Sequence, residues 1–318
     1  MVSSHEKAHN TIRRFQNRHL GTSGVASIGI THSDEYIKNH RKLEFKVHVE
    51  NNSAKENIPD KVNDIRVKFV DAPEMRGGGI ATSNTDGPKE SGDTLAGYCS
   101  NKDFTDIPGG VRTETPNAGH GTSCCKVRNG SGDYYLLHCY HLFDSGTCDE
   151  NIGGQRAVQG SDDFGYVYEW YDRHDWAGIK VDKSSISLDN TIRRPSGRDK
   201  VYGYVTRSAL ASWQPSDPVY KMGIKTGETI SYSPDYNVSG GWACHDWDGY
   251  GIQVGNKFAN GDSGGPIYAD WGGPYMIGIA SQHWGSSAGT VCGYDASDGV
   301  AGWPAYKLAN NAGFEFYI

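Results

Sequence analysis

Gly261-Asp262-Ser263-Gly264-Gly265-Pro266 sets a serine on a turn with glycine on both sides. An oxyanion formed during acyl transfer needs about two preorganised donors in a site shielded from water, and main-chain amides serve only where no side chain blocks close approach. The amides of Gly261 and Ser263 are the candidate donors, with Ser263 as the candidate nucleophile. In a chain with 42 glycines, a glycine-rich hairpin with an incidental serine is the plain alternative. A hydroxyl is a poor nucleophile alone, so the sharper reading requires a base and an orienting carboxylate elsewhere.

Both lie upstream. Tyr134 to Phe143 reads as a buried strand that leaves the polar turn Asn129-Gly130-Ser131-Gly132 and ends in two histidines, His138 and His141. Asp175 stands at the mouth of Trp176-Ala177-Gly178-Ile179-Lys180-Val181, which alternates in the manner of a half-buried strand. From there its carboxylate can orient an imidazole.

These segments resemble the chymotrypsin-like serine peptidases, in particular their bacterial branch. In the order histidine, aspartate, serine, the resemblance is carried by Leu137-His138-Cys139-Tyr140-His141, by Asp175-Trp176-Ala177-Gly178-Ile179, by Lys221-Met222-Gly223-Ile224-Lys225-Thr226-Gly227-Glu228-Thr229 and by the serine turn. It covers roughly the C-terminal two thirds of the chain. It implies a mainly β fold of two six-stranded antiparallel barrels with a cleft between them. It also implies a triad of His141 as base, Asp175 as its partner and Ser263 as nucleophile, with Gly261 and Ser263 forming the oxyanion hole. His138 occupies a position where the family usually has threonine, and a register shift making His138 the base stays open.

The resemblance further places the substrate pocket at Lys257, Ser281, Gln282 and His283. No aspartate falls where a pocket for Lys or Arg needs one. A lysine and a histidine there favour an acidic side chain through charge-assisted hydrogen bonds; the alternative is a Lys257 that points to solvent. A protein or peptide substrate is implied, with no cofactor and no metal. The competing class is a catalytically silent binding protein of the same fold.

Composition agrees with a β-rich chain. With 318 residues there is length for about two domains. Abundant glycine, 11% aromatics and a mean hydropathy of −0.62 fit short strands and solvated loops. A net charge of −7 without a dense basic stripe gives no footprint for nucleic acid. No run approaches the length of about 18 apolar residues that a membrane span needs. The N-terminus lacks the charged-then-apolar layout of a secretory signal, which favours a cytoplasmic location over secretion.

Residues 1–75 read as a small α+β unit, with an amphipathic helix from about Ser4 to Leu20 and strands at 24–30, 43–49 and 65–70. Its role is either a packing accessory or a pro-region that assists folding or covers the cleft. Residues 76–104 are rich in turn formers and read as a linker or surface loop open to proteolytic nicking. Residues 105–318 form the remaining unit, closing with a short helix within 302–318. Bacterial members of the family commonly dispense with activation by a new N-terminal ammonium on the aspartate before the serine, here Asp262, so a largely preformed site is expected.

Seven cysteines leave at least one unpaired within the chain. Cys125 and Cys139 flank one hairpin and are candidates to face each other. The rival reading is a zinc site from Cys124 or Cys125, His138, Cys139 and Cys148, although adjacent strand residues point to opposite faces. His120-Gly121-Thr122 imitates the histidine motif of subtilisin-like proteases, but the nucleophile segment those enzymes need does not follow.

Overall fold

The computed structural model describes residues 4–316 apart from 21, 38–39, 72–75, 78–103, 117–118, 145–149, 161, 215, 233, 240–244, 284–286 and 292–293. Most of the expected linker, and Cys99, Cys148, Cys244 and Cys292, therefore lie outside the described residues.

The expected hairpin leads into the first β unit. Asn129 Oδ1 accepts from the amides of Ser131 and Asp133, both at 3.0 Å, and Gly132 takes the positive φ of 89° that closes the turn. The strand that follows, Tyr134–His138, is an apolar run buried along nearly its whole length, as a strand inside a barrel must be. It lies between Lys126–Arg128 and Trp176–Val181 in a seven-stranded sheet that continues through Asp162–Tyr171, Arg156–Gln159, Arg112–Thr115 and Gly119–Thr122. All these pairings are antiparallel. Leu136, Phe164, Val167, Ala177 and Ile179 fill its interior.

The second unit runs Gly227–Tyr232, Pro218–Gly223, Pro266–Asp270, Pro274–His283, Val300–Pro304, Gly251–Val254 and Asp235–Ser239. The sheet does not stop there. The N-terminal strand Val25–Ile37 pairs antiparallel with Asp235–Ser239, with Ile28 opposite Ser239 and Ile30 opposite Tyr236, and the sheet extends through His40–Val49 and Ile65–Asp71. Helix Ser4–His19 lays Ala8, Ile12 and Phe15 into a core that also holds Ile28, Phe45, Tyr236 and Ile252. The leading segment is thus joined to the second unit by a ladder and a common core.

The C-terminal segment holds the expected short helix, preceded by a strand. Gly302 belongs to strand Val300–Pro304, and helical turns span only Ala305–Lys307 and Leu308–Ala312. Strand pairing wins at Gly302 because its neighbours, Gly251–Val254 and Pro274–His283, both bond to it. Phe314 and Phe316 then pack with Tyr135 of the first unit and Tyr268 of the second, tying the two together.

Candidate active site

Neighbouring strand ends bring the histidine and the aspartate together. His138 pairs with Ala177, so the 3-10 turn Tyr140–Leu142 after one strand faces Asp175 just before the other. Asp175 adopts φ 53°, a left-handed conformation that a non-glycine residue holds only where surrounding contacts over-determine it. Those contacts are visible. The His141 amide donates to Asp175 Oδ1 at 2.9 Å, His141 Nδ1 donates to Oδ2 at 2.8 Å, and Ser281 Oγ donates to Oδ2.

Both partners are buried, His141 at 5% exposure and Asp175 at 0%. Burial opposes charge on each, and their mutual attraction overrides it. The His141 imidazole is held well above its ordinary pKa, while the Asp175 carboxyl stays well below the usual carboxylate range.

His138 has a different environment. The Cys139 amide donates to its Nδ1 at 2.9 Å, and burial pushes its pKa down to about 3, leaving a neutral ring beneath the serine turn. A Cβ at Gly264 would collide with that ring and with the Thr122 carbonyl, which is why this position, at φ 89°, needs glycine. Of the two histidines on this segment, His141 is the one bonded to Asp175.

The serine turn is bolted to both β units. Thr122 N donates to the Ser263 carbonyl at 2.7 Å, and Thr122 Oγ1 donates to the Gly261 carbonyl at 2.8 Å. On the other side, Gly264 N donates to Ala280 O and Ala280 N to Gly265 O, at 2.7 and 2.8 Å. Ala280 directly precedes Ser281, so one strand holds both the serine turn and the third donor to the Asp175 carboxylate. The amides of Asp262, Gly264 and Gly265 are used by the carbonyls of Ala259, Ala280 and Asp262. Those of Gly261 and Ser263 have no backbone acceptor among the described residues. The Ser263 hydroxyl is buried and has no hydrogen-bond partner among the described residues.

The turn is shaped by a buried ion pair. Asp262 Oδ2 accepts from Lys221 Nζ and from Thr226 Oγ1, both at 2.6 Å, and its Oδ1 accepts from Lys225 N at 2.8 Å. Lys221 and Asp262 are both fully buried, and burial holds the lysine pKa below its ordinary value despite the carboxylate. The buried Asp262 carboxylate thus has a side-chain amine from within the chain as its partner. Sequence reading did not assign Lys221 this role; the signal was a lysine inside an otherwise apolar strand.

Among the expected pocket residues, the Ser281 hydroxyl is turned to Asp175. Gln282 is buried, with neither side-chain amide atom bonded among the described residues. His283 Nδ1 lies 2.9 Å from Ser297 Oγ, and its ring stacks on Phe258. Lys257 is partly buried, and its carbonyl lies 3.4 Å from the Thr226 and Thr229 hydroxyls. Along this strand, Gln282 and His283 pair antiparallel with Gly77 and Arg76 of the leading segment.

Cys124, Cys125 and Cys139 are buried free thiols, so Cys125 and Cys139 are not bridged. Cys139 Sγ lies 3.3 Å from His138 Nδ1 and 3.7 Å from His141 Nε2. Among the described residues, the one cluster of three possible ligands within reach of a single ion is His141, Asp175 and His245, which is not the cysteine set weighed above. His245 escaped sequence reading because nothing local marks it.

No protein-family model matches the sequence, and no curated protein does. Solved structures similar in fold include a Nocardiopsis protease at 17% identity and TM-score 0.49, covering 67% of this chain and 100% of that one. Thermobifida fusca protease A is similar at 18% identity and TM-score 0.49, over 66% of this chain and 97% of that one. A Cellulomonas bogoriensis chymotrypsin follows at 16% identity and TM-score 0.48, over 66% and 97%. The described residues are mainly β.

Proposed function

We propose that the protein is a serine endopeptidase that cleaves peptide bonds through an acyl-enzyme. Ser263 attacks the carbonyl carbon as His141 takes its proton. Asp175 holds the imidazole tautomer and stabilises the imidazolium. The Gly261 and Ser263 amides receive the oxyanion, and His141 returns the proton to the leaving amine. The observation that carries this reading is the Asp175 carboxylate, wholly buried yet bonded by His141 N, His141 Nδ1 and Ser281 Oγ. A buried charge is costly unless it is paired and hydrogen-bonded, as this one is by the imidazole a base would need.

The unbonded Ser263 hydroxyl favours the second reading, a silent protein of the same fold. A fluorophosphonate probe separates the two. An endopeptidase is labelled at Ser263, in the intact chain or after nicking within 78–103, and loses labelling in Ser263→Ala; a correctly folded chain unlabelled in both forms overturns the proposal.

The leading segment supports regulation as part of this reading. Arg76–Gly77 adds a strand to Gln282–His283 and runs toward Ser281, along the edge where an extended substrate would lie. The intact chain is then blocked by its own backbone. Nicking the folded protein within 78–103 should raise peptide hydrolysis; equal rates before and after nicking would remove this role.

A further inference from the structure

The environment of Asp175 holds a third group that the acyl-transfer steps do not use. His245 Nε2 lies 3.7 Å from Asp175 Oδ1, and the His245 and His141 ring centroids are 6.2 Å apart. On its far side, His245 Nδ1 lies 2.6 Å from the carbonyl oxygen of Asp172, in the turn that leads into Asp175. A carbonyl can only accept, so Nδ1 donates to it and Nε2 is the ring atom turned toward the carboxylate. His245 Nε2 and Asp175 Oδ1, both of a kind that binds metal ions, thus lie side by side in a buried place, with His245 at 3% exposure and Asp175 at 0%.

We propose that this is an inhibitory site for a borderline divalent transition ion such as Zn2+, held by His245 Nε2, Asp175 Oδ1 and His141 Nδ1. The chemistry of the donors fits. Zinc bonds to imidazole nitrogen and carboxylate oxygen of about 2.0–2.2 Å bridge donors separated by the 3.7 Å seen here at an angle somewhat wider than tetrahedral. A histidine whose second nitrogen donates to a backbone carbonyl has the usual outer support of a metal ligand. The atoms of all three residues lie within 4.8 Å of one another. Taking up the ion displaces the proton on His141 Nδ1 to solvent and replaces its bond to Asp175 with a bond to the metal. The base then loses its orienting carboxylate, and acyl transfer stops with no change of oxidation state.

The inhibitory consequence rests on the endopeptidase reading, whereas binding does not, and the test separates them. Isothermal titration of the full chain with Zn2+ is compared with His245→Gln and, because buried thiols also bind zinc, with Cys139→Ser. Alongside it, inhibition by Zn2+ is measured for each protein as a ratio to its own metal-free rate. Wild type and Cys139→Ser should bind one ion and be inhibited, while His245→Gln, which loses a direct ligand, binds at least about 100-fold more weakly, beyond the loss expected for an outer partner of a ligand. Co2+ bound in place of Zn2+ should give visible bands without thiolate charge transfer. Glutamine keeps a donor for the Asp172 carbonyl; if that variant still does not fold, the cobalt spectrum of the wild type decides. Equal zinc affinity in wild type and His245→Gln, loss of binding in Cys139→Ser, or a thiolate band would each overturn the site. Binding that depends on His245 in a chain unreactive to fluorophosphonate would keep the site and refute the endopeptidase reading instead.

Discussion

At the scale of single residues, the proposed chemistry depends on charges placed out of reach of water. Ser263→Ala should lower turnover about a million-fold, as removal of a triad nucleophile does, read as the rate of peptide hydrolysis against the folded wild type. His141→Ala should approach the same loss while His138→Ala keeps far more activity, since only His141 is bonded to Asp175; the reverse order would move the base to His138. The base works unprotonated. With its pKa held up by Asp175, activity should fall with decreasing pH along a limb centred above the ordinary imidazole value of about 6.5. A profile of kcat/KM against pH with its acid limb below that value would contradict the pairing. Lys221→Met leaves the Asp262 carboxylate buried without its ammonium, and loss of one partner from such a pair costs about 3–5 kcal/mol. Urea denaturation should show a loss of that size.

Between elements, the site is a product of how strands adjoin. The ladder of Tyr134–His138 against Trp176–Val181 brings His141 to Asp175, and the bonds from Gly264 and Gly265 to Ala280 set the serine turn beside Ser281. This turn has no slack at Gly264. Gly264→Ala would need a positive φ and would drive a methyl into the His138 ring and the Thr122 carbonyl. The expected result is a drop of several degrees in Tm together with severe loss of fluorophosphonate labelling. A variant that labels normally would show that the turn has room that the close packing denies. Sequence patterns served well for such elements where they were long and regular: the apolar run at 134–138, the hairpin before it, and helix Ser4–His19. They said nothing of strand Val300–Pro304, which is held by pairing on both sides just before the C-terminal helical turns.

At the scale of the molecule, the leading segment and the second β unit share a sheet and a core. Expression of 104–318 alone would uncover the edge of Asp235–Ser239 and the apolar side chains that meet Ile12, Phe15 and Ile28. Exposed edges of this kind recruit other chains, so the shortened protein should be less soluble and melt at lower temperature, which light scattering and circular dichroism would report; identical melting would mean the segment adds nothing to stability. The amino-acid order by itself determined the β class, the glycine-lined serine turn, and the histidine and aspartate candidates, because each is written in a local pattern of polarity or turn chemistry. Only tertiary structure decided that Lys221 pairs with Asp262, that the Ser281 hydroxyl bonds to Asp175, that His245 stands near that carboxylate, and that Arg76–Gly77 lies on Gln282–His283. Those contacts join residues 41, 106 and more positions apart, and strand register and burial, not local propensity, bring such distant side chains to within bonding distance.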